Sequence, residues 1–184
     1  GGKYISYTEE HPITMNPFRI KREELNVEKT GFLKNLVMLI WKGTQGNPTK
    51  TEERLIEQVI SEYYDVYFNG FKGFTPPQRD DLRKSLLIDD RNRHANTEET
   101  VEAKKARIEG MIDEIERKRK ELKVKELSFN SFYEFSVQRI PDICQENSIT
   151  SIDVSTYRYM MKDFYRGGNH DKTLNEDLDS TLFD

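Results

Sequence analysis

The stretch from residue 91 to residue 126 constrains the fold most, because it is too charged to lie within a core. Of its 36 residues, 20 are charged and only ten are apolar when Ala is counted. The main apolar positions recur at intervals of seven residues: Val101, Ile108, Ile115 and Leu122. Such a repeat on a narrow apolar stripe is typical of a long helix that contacts one partner along a seam. The sequence therefore predicts one long, solvent-rich helix over residues 96–124.

The rest of the chain beyond residue 25 carries its apolar residues at helical spacing. Hydrophobic residues make up only 35% of the 184 residues, which is a small share for a chain of this length. The predicted fold class is mainly α: a helical bundle with one long protruding helix and a short N-terminal β element near residues 3–7. The predicted segments are an edge strand and loop at 1–25, a helical core hairpin plus a short helix at 26–90, a charged helical arm at 91–126, C-terminal core helices at 127–168 and an acidic tail at 169–184.

Local signals place the ends of the first three helices. The first helix is predicted over 23–42, with Gly43 as its left-handed C-cap. Thr49 and Glu52 fit a capping box at the start of the second helix, and the short connection before them indicates antiparallel packing. A third, short helix is predicted over 76–87.

Similar signals bound the C-terminal helices. Asn130 or Ser131 is the predicted N-cap of one helix, and Pro141 should end or kink it. Asp153 is predicted to cap the last helix. Residues 169–184 hold few large apolar groups, so we expect a weakly ordered tail.

Composition excludes several classes of protein. The longest apolar run has six residues, far below the roughly 18 that a membrane span needs, so we expect no membrane span. No basic region precedes an apolar run near the start, and nothing resembles a signal peptide. Cys144 is the single cysteine, which excludes an internal disulfide and favours a reducing compartment. The net charge of -4 gives no global attraction to nucleic acid or anionic lipid.

The glycine-rich stretch 43–51 (GTQGNPTKT) is the most suggestive motif, because it resembles a phosphate-binding P-loop. A P-loop needs Gly directly before its Lys so that backbone N–H groups surround the phosphates. Here Thr49 precedes Lys50, and Pro48 has no N–H group. The stretch also follows a helix rather than a strand. We therefore interpret it as an ordinary helix–helix connection.

Other catalytic patterns are equally weak. His11, His94 and His170 lie far apart and lack Cys partners at ligand spacing, so surface histidines are the better interpretation than zinc ligands. No G-x-S-x-G motif supports a serine hydrolase. The acidic pairs 80–81 and 89–90 stand at helix ends, where carboxylates commonly cap helices or face water. We assign no catalytic, cofactor-binding or metal-binding residue in this chain.

The only basic cluster is 117–120 (RKRK), and it is flanked by Glu114, Glu116 and Glu121. These acids neutralise much of its charge, so a solvated helical face is the default interpretation. Contact with nucleic acid is the alternative, because the predicted arm could carry the cluster to a partner.

Four motifs resemble a specific family. Residues 1–5 (GGKYI) with 13–18 (ITMNPF) resemble the pattern GG-(K/R)-Y-(I/L) … (F/M)-N-P-(F/L) of the motor ATPases of conjugation and type IV secretion. The greatest likeness is to the TraG-type ATPases of conjugative transposons. Three further segments are similar to that family, in the same order along the chain: 127–134 (LSFNSFYE), 157–168 (YRYMMKDFYRGG) and 174–183 (LNEDLDSTLF).

The resemblance implies that this chain is the mostly helical insertion between Walker A and Walker B of a RecA-like ATPase. The 184 residues contain no Walker A motif, Walker B motif or arginine finger, so the chain alone is not expected to be an enzyme. ATP and magnesium would be cofactors of the parent. Its expected partners are the rest of that ATPase, which the resemblance implies is a homo-hexamer, and other secretion components. The expected location is cytoplasmic, with the parent complex as the link to the inner membrane.

A rival hypothesis is a free-standing helical adaptor that binds a partner helix through the arm at 91–126. The neighbouring coding sequence distinguishes the two hypotheses, because only the ATPase insertion requires a P-loop upstream and an acidic strand end downstream.

Overall fold

The computed structural model describes residues 15–93 and 98–176, and this part of the chain forms six α-helices and no strand. The mainly α fold class is therefore confirmed. The predicted β element near residues 3–7 lies outside the described residues. The helices are α1 (Val27–Lys42), α2 (Lys50–Phe68), α3 (Pro76–Arg93), α4 (Val101–Glu121), α5 (Phe129–Glu146) and α6 (Val154–Met161).

Helices α1 and α2 form the predicted core hairpin. Gly43 ends α1 with a φ of 75°, and Thr49 and Glu52 form the capping box of α2. The prediction that α1 starts at residue 23 is wrong. Residues Arg22–Glu24 form a separate 3-10 turn, and the Asn26 side chain caps α1 by accepting a hydrogen bond from the Lys29 N–H at 2.9 Å.

Helices α5 and α6 complete the body by packing on α1 and α2. The N-cap of α5 is Ser128 rather than Asn130 or Ser131, although Ser131 closes the capping box. Pro141 does not end α5, which continues to Glu146. Asp153 caps α6 as predicted, by accepting from the Thr156 N–H at 3.0 Å.

Helices α3 and α4 form a second hairpin with a small core of its own, made of Leu86, Ile108 and Ile112. Helix α3 extends to Arg93, well beyond the predicted end at residue 87. The partner of the predicted seam is thus α3 of the same chain. Only part of the seven-residue repeat serves this contact, because Val101 is 67% exposed and Leu122 packs against the main core instead.

Ion pairs extend the contact between α3 and α4 beyond its three buried residues. Arg79 donates to Glu109 at 3.1 Å and to Asp113 at 2.8 Å, and Arg83 also donates to Glu109. At the other end of the hairpin, the Arg107 guanidinium lies 2.7 Å from a carboxylate oxygen of Asp90. These paired charges explain how so polar a sequence forms a defined hairpin.

Among the residues described, none of the helices combines the length and the apolar composition that crossing a bilayer requires.

Replacing Ile112 with Asp should unfold the α3–α4 hairpin while α1, α2 and α5 keep their hydrogen-exchange protection. Ile112 is fully buried, and an unpaired carboxylate there should cost about 3 kcal/mol or more. Val101→Asp is the matched control, because the same change at an exposed position should leave the hairpin protected. Equal loss of protection in the body and the hairpin would contradict two separate cores.

The hairpin should also be the part of the fold that acid loosens first. Hydrogen bonds from Arg83 and Arg79 hold the pKa of Glu109 below its usual range, and one from Arg107 does the same to the pKa of Asp90. A lowered carboxyl pKa stabilises the fold above the ordinary value of about 4 and ceases to do so as the pH falls through the lowered value.

Amide NMR signals of α3 and α4 should therefore change below about pH 4. The pKa of Glu52 on α2 is also lowered, but the large body core holds α2 as well, so signals of α1 and α2 should change less. Glu109→Gln should weaken the hairpin at neutral pH and reduce this acid response. An unchanged acid response in the Glu109→Gln protein would show that the ion pairs do not control the hairpin.

Candidate functional site

The glycine-rich loop before α2 has a capping role. The Thr49 N–H donates to the Glu52 carboxylate at 2.8 Å, and the Glu52 N–H donates to the Thr49 hydroxyl at 3.1 Å. The Lys42 ammonium, at the end of α1, lies 2.9 Å from the same carboxylate. These bonds hold the pKa of Glu52 below its usual range despite the opposing effect of burial. The backbone N–H groups of Thr49 and Glu52, which a phosphate would need as donors, are thus already bonded within the cap of α2.

The other candidate chemical residues are dispersed. Of the three histidines, only His170 is described, and it stacks on Phe164 with ring centroids 5.4 Å apart. No group of three His, Cys, Asp or Glu side chains suited to a metal ion occurs within residues 15–93 and 98–176. Asp80 and Asp90 pair with arginines of the hairpin. Cys144 is buried, which raises the pKa of its thiol.

The basic cluster at 117–120 does not form an open cationic face. Arg117 pairs with Glu114 and Glu121 on its own helix, and Lys120 lies 3.6 Å from Glu116. The Lys118 ammonium lies 3.8 Å from Asp142 on α5. Arg119 points into the body. Its guanidinium carbon lies 4.4 Å from the centroid of the Phe71 ring.

Arg119 belongs to a charge quartet with Glu62, Arg139 and Glu146, which joins helices α2, α4 and α5; Arg139 is buried and the other three are partly buried. Glu62 accepts from Arg119 at 2.8 Å and from Arg139 at 3.1 Å. Arg139 also donates to Glu146 at 2.9 and 3.1 Å, and its side chain is only 3% exposed. Two cations and two anions balance, so no net charge is buried.

The surroundings of the quartet shift the pKa values of its two arginines in opposite directions. Burial lowers the pKa of Arg119, and the nearby positive charge of Arg139 lowers it further. Burial also opposes the charge of Arg139, but hydrogen bonds and charges from Glu146 and Glu62 outweigh it and raise the pKa of Arg139. Arg139 pairs with both carboxylates of the quartet, whereas Arg119 pairs with Glu62.

A second cluster lies where segments 15–18, 127–134 and 164–175 meet, and we call it the junction. Phe18 is fully buried there and stacks on Phe132 with ring centroids 5.0 Å apart. The Asn16 side chain donates to the Leu127 carbonyl at 2.7 Å and accepts from the Phe18 N–H at 3.1 Å. The Asn-Pro-Phe motif thus attaches the start of the described chain to the start of α5.

The C-terminal segment joins the same place through two asparagines. The Asn175 side chain accepts from the Asn130 N–H at 2.6 Å and donates to the Phe164 carbonyl at 2.9 Å. The Asn130 side chain accepts from the Arg166 N–H at 3.0 Å. Leu174 is 5% exposed, so the expected weakly ordered tail is wrong for residues 169–176.

The junction brings the two ends of the described chain together. The Met15 N–H donates to the Thr173 carbonyl at 2.9 Å, although 157 other residues separate the two in sequence. Residues 15 and 173 therefore lie side by side.

Sequence reasoning missed most of this arrangement. Glu62 and Arg139 stand on different helices, and nothing in their spacing predicts that they meet. The repeated asparagines at 16, 130 and 175, each within two residues of a large apolar residue, were a usable signal, because amides drawn into an apolar region are normally hydrogen-bonded.

Most residues of the junction belong to the motifs that resemble the conjugation ATPases, and the comparison with protein families agrees. The model of the TraG P-loop domain family matches residues 1–77 and 77–184. The chain belongs to the TraG P-loop domain family. This match confirms the relationship to TraG-type conjugation ATPases that was inferred from the four motifs. No curated protein and no solved structure matches the chain.

Breaking the quartet should destabilise this TraG-family chain far more than breaking a surface pair. Glu62→Gln removes the carboxylate that pairs with both the buried Arg139 and the partly buried Arg119, which should cost about 3–5 kcal/mol in free energy of unfolding. Glu57→Gln is the matched control, because Glu57 also stands on α2 and pairs with Lys34 of α1, but its side chain is 58% exposed. Its cost should stay below about 1 kcal/mol. Similar losses for both variants in denaturant unfolding would contradict a stabilising quartet.

Proposed function

We propose that this chain is the non-catalytic helical insertion, between Walker A and Walker B, of a conjugative-transfer motor ATPase of the type IV secretion class. It supplies contacts to neighbouring subunits or to the secretion machinery. The observation that carries the proposal is the hydrogen bond between Met15 and Thr173. An insertion must leave its host at nearly the point where it entered, so that the host fold stays continuous.

The helical content supports the same conclusion. A RecA-like ATPase core is built on a β-sheet, whereas the described residues are helical and lack strands. The family match runs through both ends of the sequence. A helical segment of a P-loop family that has no P-loop of its own is most simply an insertion into the catalytic fold.

Exposed apolar groups near the Met15 end give further support. Met15 is 45% exposed and Phe32 is 53% exposed, and together with Pro17 and Ile20 they line a groove of about 500 Å³. Isolated domains rarely leave adjoining large apolar side chains uncovered without a partner. We propose that the remainder of the parent covers this groove, within a homo-hexamer at the cytoplasmic side of the membrane.

The rival adaptor hypothesis loses its main support. It needs the apolar seam of the arm to be open to a partner helix, but Ile108 and Ile112 are buried against α3. The basic cluster is also paired within the chain, which weakens the alternative of direct contact with nucleic acid.

The coding sequence around this segment provides the first test. It should encode a P-loop upstream of residue 1 and a strand ending in Asp or Glu downstream of residue 184. A complete gene that lacks both would contradict the insertion.

The chain alone should neither bind nor hydrolyse ATP. The loop at 43–51 has no Gly before Lys50, and its Thr49 N–H is already bonded to Glu52. Titration of ATP with magnesium into the chain by calorimetry should show no saturable binding, and Lys50→Ala should behave identically. Magnesium-dependent binding that Lys50→Ala abolishes would overturn the proposal.

A further inference from the structure

The α3–α4 hairpin and the body pack as separate units. The body core collects residues of α1, α2, α5 and α6, whereas Leu86, Ile108 and Ile112 form a core confined to the hairpin. The principal helix pairs show the same division, because α3 packs mainly on α4 and the other pairs all lie within the body. Each unit therefore has its own source of stability.

Two short connections link the units, residues 69–75 and 122–128. The first contains Gly70 and Gly73, with φ values of 73° and 123°. Side chains rarely adopt such angles, so both positions favour glycine and form a turn that needs no packing from α3. The Phe74 N–H donates to Glu116 at 2.8 Å, which attaches this connection to α4 and makes it part of the hairpin base.

Leu122 and Val124, just after α4, pack against the body core, and Arg119 joins the base of the hairpin to the body through a close ion pair. Its guanidinium stacks between the connection and the quartet, with the Phe71 centroid 4.4 Å away and the Phe74 centroid 5.4 Å away. On its other side it pairs with Glu62 at 2.8 Å. A planar guanidinium can hold both contacts at once, which a lysine ammonium cannot.

Beyond the base, the hairpin and the body are not closely packed. A groove of about 350 Å³ separates α4 from the end of α5, lined by Gly110, Met111 and Ile115 on one side and by Asp142 and Gln145 on the other. Lys118 and Asp142 approach across it at 3.8 Å, a loose and partly exposed ion pair. The hairpin is thus fixed at one end and leaves space beside the rest of its length.

We propose that the α3–α4 hairpin is a rigid arm that pivots on the body about the Arg119 contact, with the groove as the space into which it moves. The hairpin core and the Arg79, Arg83 and Arg107 ion pairs keep the arm rigid during this motion. The glycines at 70 and 73 permit it. The proposal does not depend on the nucleotide chemistry of the parent.

Distances between spin labels test this proposal on the full 184-residue chain, with Cys144 replaced by Ala. One pair, Lys29→Cys with Ile88→Cys, measures the arm against the body. The second pair, Ile88→Cys with Lys120→Cys, measures the arm internally. All three positions are exposed. Arg119→Met should shift or broaden the first distance distribution and leave the second unchanged.

Arg117→Met is the matched control, because Arg117 lies two residues away, carries the same charge and pairs only within α4. It should change neither distribution. Arg119→Lys retains the charge but not the planar stacking, so it should shift the first distance distribution less than Arg119→Met does. It also provides a second measurement if the Arg119→Met protein folds poorly. A first distribution unaffected by both Arg119 variants would overturn the pivot. A second distribution that broadens with the first would overturn the rigid arm.

Discussion

The meeting of segments 15–18 and 173–175 at the start of α5 is the constraint on which the body depends. Phe18 fills the space among Tyr63, Phe129 and Phe132, and its own carbonyl accepts from the Tyr64 hydroxyl at 2.9 Å. This contact attaches the chain to α2 and α5 before α1 begins. Since Asn175 caps the same region from the other side, both ends of the body are closed by one set of bonds. Residues that resemble the family therefore have a structural reason to be where they are.

Charge has two different uses in this chain. In the hairpin, partly exposed pairs such as Arg79 with Asp113 supplement a very small apolar core. In the quartet, Arg139 is buried and Glu62 is nearly so. Each is stabilising only while its partners remain, because removing one leaves an unpaired charge largely away from water. The high charged fraction of 34% is therefore a means of joining helices rather than a sign of disorder.

Local signals predicted what is local. Gly43, Thr49 and Asp153 have side-chain or backbone properties that mark a helix end wherever it lies, and the structure has these ends. The predicted N-cap of α5 was wrong because Ser128 and Ser131 both suit the start of a helix. In the structure they form one capping box, in which Ser128 is the N-cap and Ser131 is the third helical residue. The repeat in α4 was recognised, but the identity of its partner depends on how the chain folds back.

The candidate sites were harder to predict than the helix ends, because they depend on contacts between residues that are distant in sequence. The loop at 43–51 could be dismissed as a P-loop from the order of Thr49 and Lys50 alone. The role of Arg119 could not be predicted, because the cluster 117–120 looks uniform in sequence while its third member is the one that joins the quartet. Long-range pairs such as Met15 with Thr173 have no local signal at all.

The central proposal is that this chain is an insertion that enters and leaves its host near the contact between Met15 and Thr173. The most direct test replaces residues 16–173 in the full-length parent with a flexible linker of about two to four Gly and Ser residues, which spans adjacent ends without strain. The account predicts a shortened parent that folds and still binds ATP with magnesium but no longer supports conjugative transfer. Loss of folding and of nucleotide binding, or transfer at the parental level, would contradict it.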